Sequence, residues 1–287
     1  MKLSELYASR NNLDDEKKFL ESYRIDKYFR PSVSSDVVAF TIGNTNEENY
    51  RKESETRLLL LLVKRGTHPF MDKWALPGGF LRSDESVEEC AFREIVEETG
   101  IEPVSMKHVG VFSDCDRDPR GRIISNAFTS IIVDGSTEVH SGQDANDAKW
   151  FEITFTEQSG LYHLNLINEE TVLKAVIKEI RNEFGIRRFE ILESDDIAFD
   201  HAAIIGTALT SLRNDVMDYN MLFDFVPKKF TLFKLQKIQE TITGKTTQAA
   251  NFRRKIMDYV QETDEYETGA GHRPAKLYVA ANIGKRG

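Results

Sequence analysis

The run Gly79–Ile101, GFLRSDESVEECAFREIVEETGI, places three glutamates at positions 94, 97 and 98. At about 100° per residue, Glu97, Glu94 and Glu98 share an arc of about 100° on one helical face. Carboxylates so crowded repel one another unless a cation neutralises them. Mg²⁺ or Mn²⁺ suits such oxygens, because either ion also keeps water and phosphate oxygens as ligands. A solvated acidic surface is the other reading of three glutamates alone. The helix has its own punctuation: Ser86 with Glu89 three residues on forms a capping box, and Gly100 stops it after Thr99. Phe92, Ile95 and Val96 fall away from the acids, so that side is expected to pack into a core. Just ahead, Trp74-Ala-Leu-Pro-Gly-Gly79 offers two glycines whose backbone can approach a metal or phosphate; a tight turn explains them equally well.

Around this helix the sequence reads as α+β. Asp36–Ile42 and Arg57–Lys64 are β-rich apolar runs, and further strands are expected near His108–Phe112, Ile123–Val133 and Ala148–Ile153. Residues 1–34 read as a helical arm with its helix over Asp14–Tyr23, 35–155 as the domain of the acidic helix, and 156–200 as a connector. The connector is expected to hold a helix over Glu169–Phe184 and a strand over Arg188–Leu192. Residues 201–287 change pattern to three helices and a hairpin. In them Ile205, Leu209, Leu212 and Val216 share a face, Thr231 caps Leu232–Thr243 before Gly244, and Thr247 caps Gln248–Tyr259.

The chain has 287 residues, 40% hydrophobic and 30% charged, and no apolar run long enough for a membrane helix. No secretory signal is visible in MKLSELYASR, and Cys90 and Cys115 are too few for a disulfide framework, which together point to the cytoplasm. Lys228–Gly287 carry 12 Lys and Arg against 6 Asp and Glu, a charge of +6, which leaves −15 on residues 1–227 of the total −9. An acidic body attracts cations and a basic tail attracts polyanions; a solvated surface is the plain alternative.

Gly79, Glu85, Arg93, Glu94, Ile95, Glu97, Glu98, Gly100 and Ile101 match the Nudix box, G-x5-E-x7-R-E-U-x-E-E-x-G-U, at every position. The chain therefore resembles the Nudix family. The resemblance implies an α/β/α sandwich and Mg²⁺- or Mn²⁺-dependent hydrolysis of a nucleoside diphosphate derivative such as ADP-ribose. It implies Glu94, Glu97 and Glu98 as metal ligands, with a backbone carbonyl at Gly78 or Gly79, and Arg93 with Glu85 as the pair that orients the helix. Catalytic roles then fall to Glu97, Glu94 and Arg93. ADP-ribose-type members often take a general base from a loop after the box, where Asp144 and Asp147 stand; Asp144 is favoured, with turn-forming aspartates as the alternative. Arg117, Arg120 and Arg122 suit bidentate contacts to a pyrophosphate, or a solvated turn.

In the third helix of the C-terminal region Phe252 and Ile256 face one way, while Asn251 and Arg254 face the other with Arg253 and Lys255 beside them. That suits a recognition helix in a DNA major groove as well as an amphipathic surface helix. The phrases Ala198-Phe-Asp-His201, Phe230-Thr-Leu-Phe-Lys-Leu-Gln236, Asn251-Phe-Arg-Arg-Lys-Ile256 and Arg273-Pro-Ala-Lys-Leu-Tyr278 resemble NrtR-like Nudix regulators with a winged helix. That resemblance implies double-stranded DNA as a partner, contacts from Asn251, Arg253, Arg254, Lys255 and Arg273, a homodimer, and control of NAD or sugar metabolism genes by an ADP-ribose-like ligand. Ala249-Ala250 departs from the polar residues expected at the start of that helix. Enzyme, DNA-binding regulator and a merely dimerising winged helix are the three functions left to separate.

Overall fold

The computed structural model describes residues 13–44, 56–133, 145–169, 171–267 and 274–281, and separates into a unit ending at Pro31 and one starting at Ser32. The first unit contains α1 (Leu13–Ser22) and a 3₁₀ turn, Ile25–Lys27. Within it Tyr23 meets Phe19 at 5.4 Å and Tyr28 at 6.1 Å between ring centroids.

The second unit runs β1 (Ser32–Asn44), β2 (Thr56–Arg65), β3 (Trp74–Ala75), β4 (Gly78–Phe80), α2 (Val87–Thr99), β5 (Ser105–Phe112) and β6 (Ile123–Ile131). It continues with β7 (Ala145–Gln158), β8 (Leu161–Asn168), β9 (Thr171–Arg181), β10 (Arg187–Ser194), α3 (His201–Met217), α4 (Leu232–Thr243), α5 (Ala249–Ile256), β11 (Val260–Glu267) and β12 (Ala275–Ala280). The main sheet has the order β10-β9-β8-β7-β2-β1-β6-β5, with β3 on β2 and β4 on β1. Among these pairings only β1 and β6 run parallel. β11 and β12 form a separate hairpin.

Strand periodicity divides the core in two. Val37, Ala39 and Leu61 pack with Ala91 and Ile95 of α2 on one face, while Val38, Phe40, Leu60 and Leu62 join Ile205, Leu209 and Leu212 of α3 on the other. A sheet covered on both faces explains why Leu58–Val63 is apolar without alternation. The result is an α+β architecture, an α/β/α sandwich followed by helices and a hairpin.

Three local expectations need correction. Glu169–Phe184 is not helical: β9 occupies most of it, paired antiparallel to β8 and β10, with Leu173, Ala175 and Ile177 buried at alternate positions. Its Lys, Glu and Ala content favours helix locally, but cross-strand pairing and a period-2 buried face decide otherwise. Residues 156–200 thus extend the sheet. Phe92 lies outside the core, 44% exposed, because the buried face of α2 is built from Cys90, Ala91, Ile95 and Thr99. The third helix starts at Ala249 rather than Gln248 and tightens to 3₁₀ over Met257–Tyr259. Thr247 does not cap it; its N–H donates to Glu240 Oε1 (2.8 Å) and its carbonyl accepts from Gln236 Nε2 (2.6 Å), both on α4.

Helix α3, which the sequence groups with the C-terminal helices, is shared. Its Arg213 donates from Nη2 to Phe155 O on β7 (2.8 Å) and from Nε to Ile242 O on α4 (3.1 Å). Gln239 of α4 donates to Val216 O (2.8 Å), so sheet and C-terminal helices are joined through one helix. Among the described residues no helix is long and apolar enough to cross a membrane.

Candidate functional site

The capping box forms as the sequence predicts: Glu89 N–H donates to Ser86 Oγ (3.2 Å) and Ser86 N–H to Glu89 Oε2 (2.7 Å). Gly100 ends α2 at φ 71°, which a residue without Cβ adopts freely. Arg93 organises the segment. It donates from Nε and Nη2 to the two oxygens of Glu85 (2.8 and 2.6 Å) and from Nη1 to Glu94 Oε1 (2.6 Å) and Glu97 Oε2 (3.1 Å). The guanidinium fork holds the Glu85 carboxyl down to about 2.

The three glutamates differ in placement. Glu94 and Glu98 line a cavity of about 320 Å³; Glu97 is outside it, 49% exposed at its side chain, and paired with Arg82 and Arg93. The acidic arc adjoins the buried face of α2 rather than opposing it. Burial therefore pushes the Glu98 carboxyl up to about 8, although Gly78 N–H donates to its Oε2 (3.0 Å), and the charges of Glu94 and Asp36 add to the rise. Burial also raises Glu94. Gly78 is required sterically, since a Cβ there would fall 2.4 Å from the backbone oxygen of Ser35; at Gly79 a Cβ would fall 2.2 Å from Glu94 Oε1 and displace that carboxylate.

The cavity also carries guanidiniums. Arg65, Arg117 and Arg120 line it together with Asp36, Asp118, Phe80, Phe199 and His201. Arg117 is buried and forks onto Asp200 (2.9 and 2.7 Å), with Asp36 Oδ2 at 3.6 Å. Arg120 forks onto Asp118 (3.0 and 2.7 Å). Arg122 donates to Ser113 O (2.5 Å) and does not line the cavity. Asp36 is buried on β1, where Ser125 Oγ donates to it (2.5 Å); burial raises its carboxyl. His201 Nδ1 accepts from Leu76 N–H (2.9 Å), and burial drives its pKa down to about 4, so the ring is neutral. Asp144 lies outside the described residues; Asp147 is described but does not line the cavity.

The sequence alone does not mark Asp36, Arg65, Phe199, Asp200 and His201 as site residues. A charged residue at the edge of an apolar strand run was the available signal for Asp36 and Arg65, and the Ala198–His201 phrase for the rest. Among the described residues no three Asp, Glu, His or Cys groups converge as a ready-made metal cage. Mg²⁺ does not need one, since one or two carboxylates plus phosphate oxygens and water complete its shell. The hard oxygens of Glu94 and Glu98 in the cavity fit that requirement.

On α5, Phe252 and Ile256 are buried, while Asn251, Arg253, Arg254 and Lys255 are exposed. Thr231 Oγ1 caps α4 by accepting from Lys234 N–H (3.2 Å), and the β11/β12 hairpin follows α5. Arg273 lies outside the described residues.

A sandwich with a glutamate helix over a glycine turn, followed by a helical unit with a wing-like hairpin, defines a two-part class: an α/β/α domain with a charged cavity and a winged helix. Residues 47–158 match the NUDIX domain profile and residues 222–280 the NrtR DNA-binding winged helix domain. The chain belongs to the Nudix family and carries an NrtR-type winged helix. It is 36% identical over 153 residues to the ADP-ribose pyrophosphatase of Methanocaldococcus jannaschii, covering 53% of this chain and 79% of that protein. It is 28% identical over 273 residues to the ADPR responsive transcriptional repressor NtrR of Acinetobacter baylyi, covering 94% of this chain and 90% of that one. A crystal structure of a MutT/nudix family protein from Enterococcus faecalis superposes with a TM-score of 0.72 at 25% identity, covering 98% of this chain and 99% of that one.

Proposed function

We propose that the Nudix cavity binds ADP-ribose or a related nucleoside diphosphate derivative and, with Mg²⁺ or Mn²⁺, hydrolyses its diphosphate linkage. The lining of the cavity supports this reading: the carboxylates of Glu94 and Glu98 and the guanidiniums of Arg65, Arg117 and Arg120 share one hollow, the pairing of groups that a cation bridged to a diphosphate requires. Glu94 and Glu98 would hold the cation. When bound, it lowers the pKa of attacking water and offsets charge developing on phosphate oxygens. Arg93 fixes Glu94, Gly78 N–H fixes Glu98, and neutral His201 holds the Leu76 backbone that leads into the glycine turn. Arg65 and Arg120 offer N–H donors to the phosphates. The purified chain with Mg²⁺ should release AMP and ribose 5-phosphate from ADP-ribose; no AMP from any of a panel of nucleoside diphosphate derivatives would remove hydrolysis from the assignment.

A regulator that responds to the same ligand is the second reading, favoured by similarity along 94% of this chain to an ADPR responsive repressor. Here α5 of each of two copies in a homodimer reads one half-site of double-stranded DNA in the cytoplasm, and ligand shifts DNA affinity by about 1–3 kcal/mol. A Glu98→Gln chain titrated with the DNA upstream of its own gene, with and without ADP-ribose, tests it. Equal affinity in the two titrations, with ligand binding verified by calorimetry, removes the coupling.

A further inference from the structure

Residues 197–201 lie outside both matched ranges, 47–158 and 222–280, yet they supply part of the cavity wall. The segment is laced to β3. Trp74 N–H donates to Asp196 O (2.8 Å), Ala198 N–H donates to Trp74 O (2.8 Å), and Leu76 N–H reaches His201 Nδ1 (2.9 Å). Between these ties Phe199 adopts φ 52°, a left-handed conformation that costs an L-residue energy and persists where flanking contacts impose it. Its ring packs on Phe70 at 4.6 Å and on His201 at 5.3 Å.

Two guanidiniums share that ring, Arg65 at 4.9 Å from its centroid and Arg120 at 5.5 Å; Arg120 also stands 5.0 Å from the Phe80 centroid. An aromatic face attracts each cation, but two cations at one ring repel each other. Burial, and next the charge of Arg120, hold the Arg65 pKa below its ordinary value. Arg65 uses Nε on Pro69 O (2.8 Å), and among the described residues its Nη1 and Nη2 have no hydrogen-bond partner. Arg120 also forks onto Asp118 through Nε and Nη2, so a phosphate at this end meets the Arg65 Nη groups and the Arg120 N–H groups that Asp118 leaves. One phosphate group engages one guanidinium edge, whereas two linked phosphates can engage both guanidiniums and still offer oxygens to a cation at Glu94 and Glu98.

We propose that Phe199 is a positioning residue that sets ligand specificity: its ring holds Arg65 and Arg120 together so that the cavity selects diphosphate esters over monophosphates. This rests on reading the cavity as a diphosphate site. The test is calorimetry on the full chain with Mg²⁺, using α,β-methylene-ADP, which resists cleavage between its phosphates, and AMP. Phe199→Leu should weaken the diphosphate by roughly 10-fold or more and AMP by less than about 3-fold, while Phe199→Tyr keeps both within about 3-fold. Should Phe199→Leu fail to fold, Arg65→Lys must lower the same ratio, because it leaves the ring in place and removes the fork. Equal weakening of both nucleotides, or of neither, overturns the specificity role while leaving the diphosphate site standing. A folded wild-type chain that binds neither nucleotide overturns the diphosphate reading and this inference together.

Discussion

On α2, Glu94 and Glu98 adjoin the buried face and line a cavity, so their charges are partly stripped of water and answer to each other, to Asp36 and to backbone N–H groups. On α5, Asn251, Arg253, Arg254 and Lys255 all stand in solvent above the buried pair Phe252 and Ile256. Both helices are amphipathic, yet one works at short range in a low-dielectric hollow and the other across a wet, salt-screened surface. Activity at the first should depend on individual atoms. Binding at the second should be a sum of similar contributions.

The largest expected effect is at the hollow. Glu98→Gln should lower AMP release by roughly 10²-fold or more and abolish the rise in Tm caused by Mg²⁺, with DNA binding unchanged. Glu97→Gln should cost less, since Glu97 faces Arg82 and Arg93 outside the cavity. Equal losses from the two variants would break the distinction and place Glu97 at the cation.

At the surface, Arg253→Ala with Arg254→Ala should reduce affinity for upstream DNA by roughly 10-fold or more and leave AMP release intact. The slope of log affinity against log salt should become shallower by about 1.8, the loss of two phosphate contacts. Retardation assays across a salt series read this; an unchanged slope would mean that α5 is not the phosphate-binding surface.

A third effect, on stability alone, concerns His201, at the start of the helix that both regions share. Its folded pKa, about 4, is below the ordinary 6.5, so the unfolded chain takes up the proton first as pH falls. The stability from keeping this ring neutral is complete above about pH 6.5 and is lost as pH falls toward about 4. Between about pH 7 and about pH 5 the wild-type chain should lose on the order of 2 kcal/mol more than His201→Asn, which offers an acceptor to Leu76 without titrating. Parallel Tm curves for the two proteins would remove the buried neutral histidine.

Much of this was readable from residues alone where the signal is local. The capping box at Ser86, the stop at Gly100, the cap at Thr231 and the split faces of α5 each depend on groups within one or two helical turns. Sequence and structure part where a distant partner decides. β9 has a composition that favours helix, and only its neighbours β8 and β10 make alternation the winning pattern. Phe92 has an apolar side chain, but the position of the sheet under α2 selected Ala91, Ile95 and Thr99 instead.

The cavity shows the division most sharply. Spacing along one helix suffices to put three carboxylates on one arc, because 3.6-residue geometry needs nothing outside the segment. Which of them lines the cavity, and what lines it with them, follows from contacts across long stretches of chain: Leu76 meets His201 across 125 positions, and Arg117 meets Asp200 across 83. The raised Glu98 carboxyl and the neutral His201 are consequences of burial, and burial depends on how the sheet, α2 and α3 close around them. Desolvation is a property of surroundings and not of a residue's neighbours in sequence, so only the folded chain decides it.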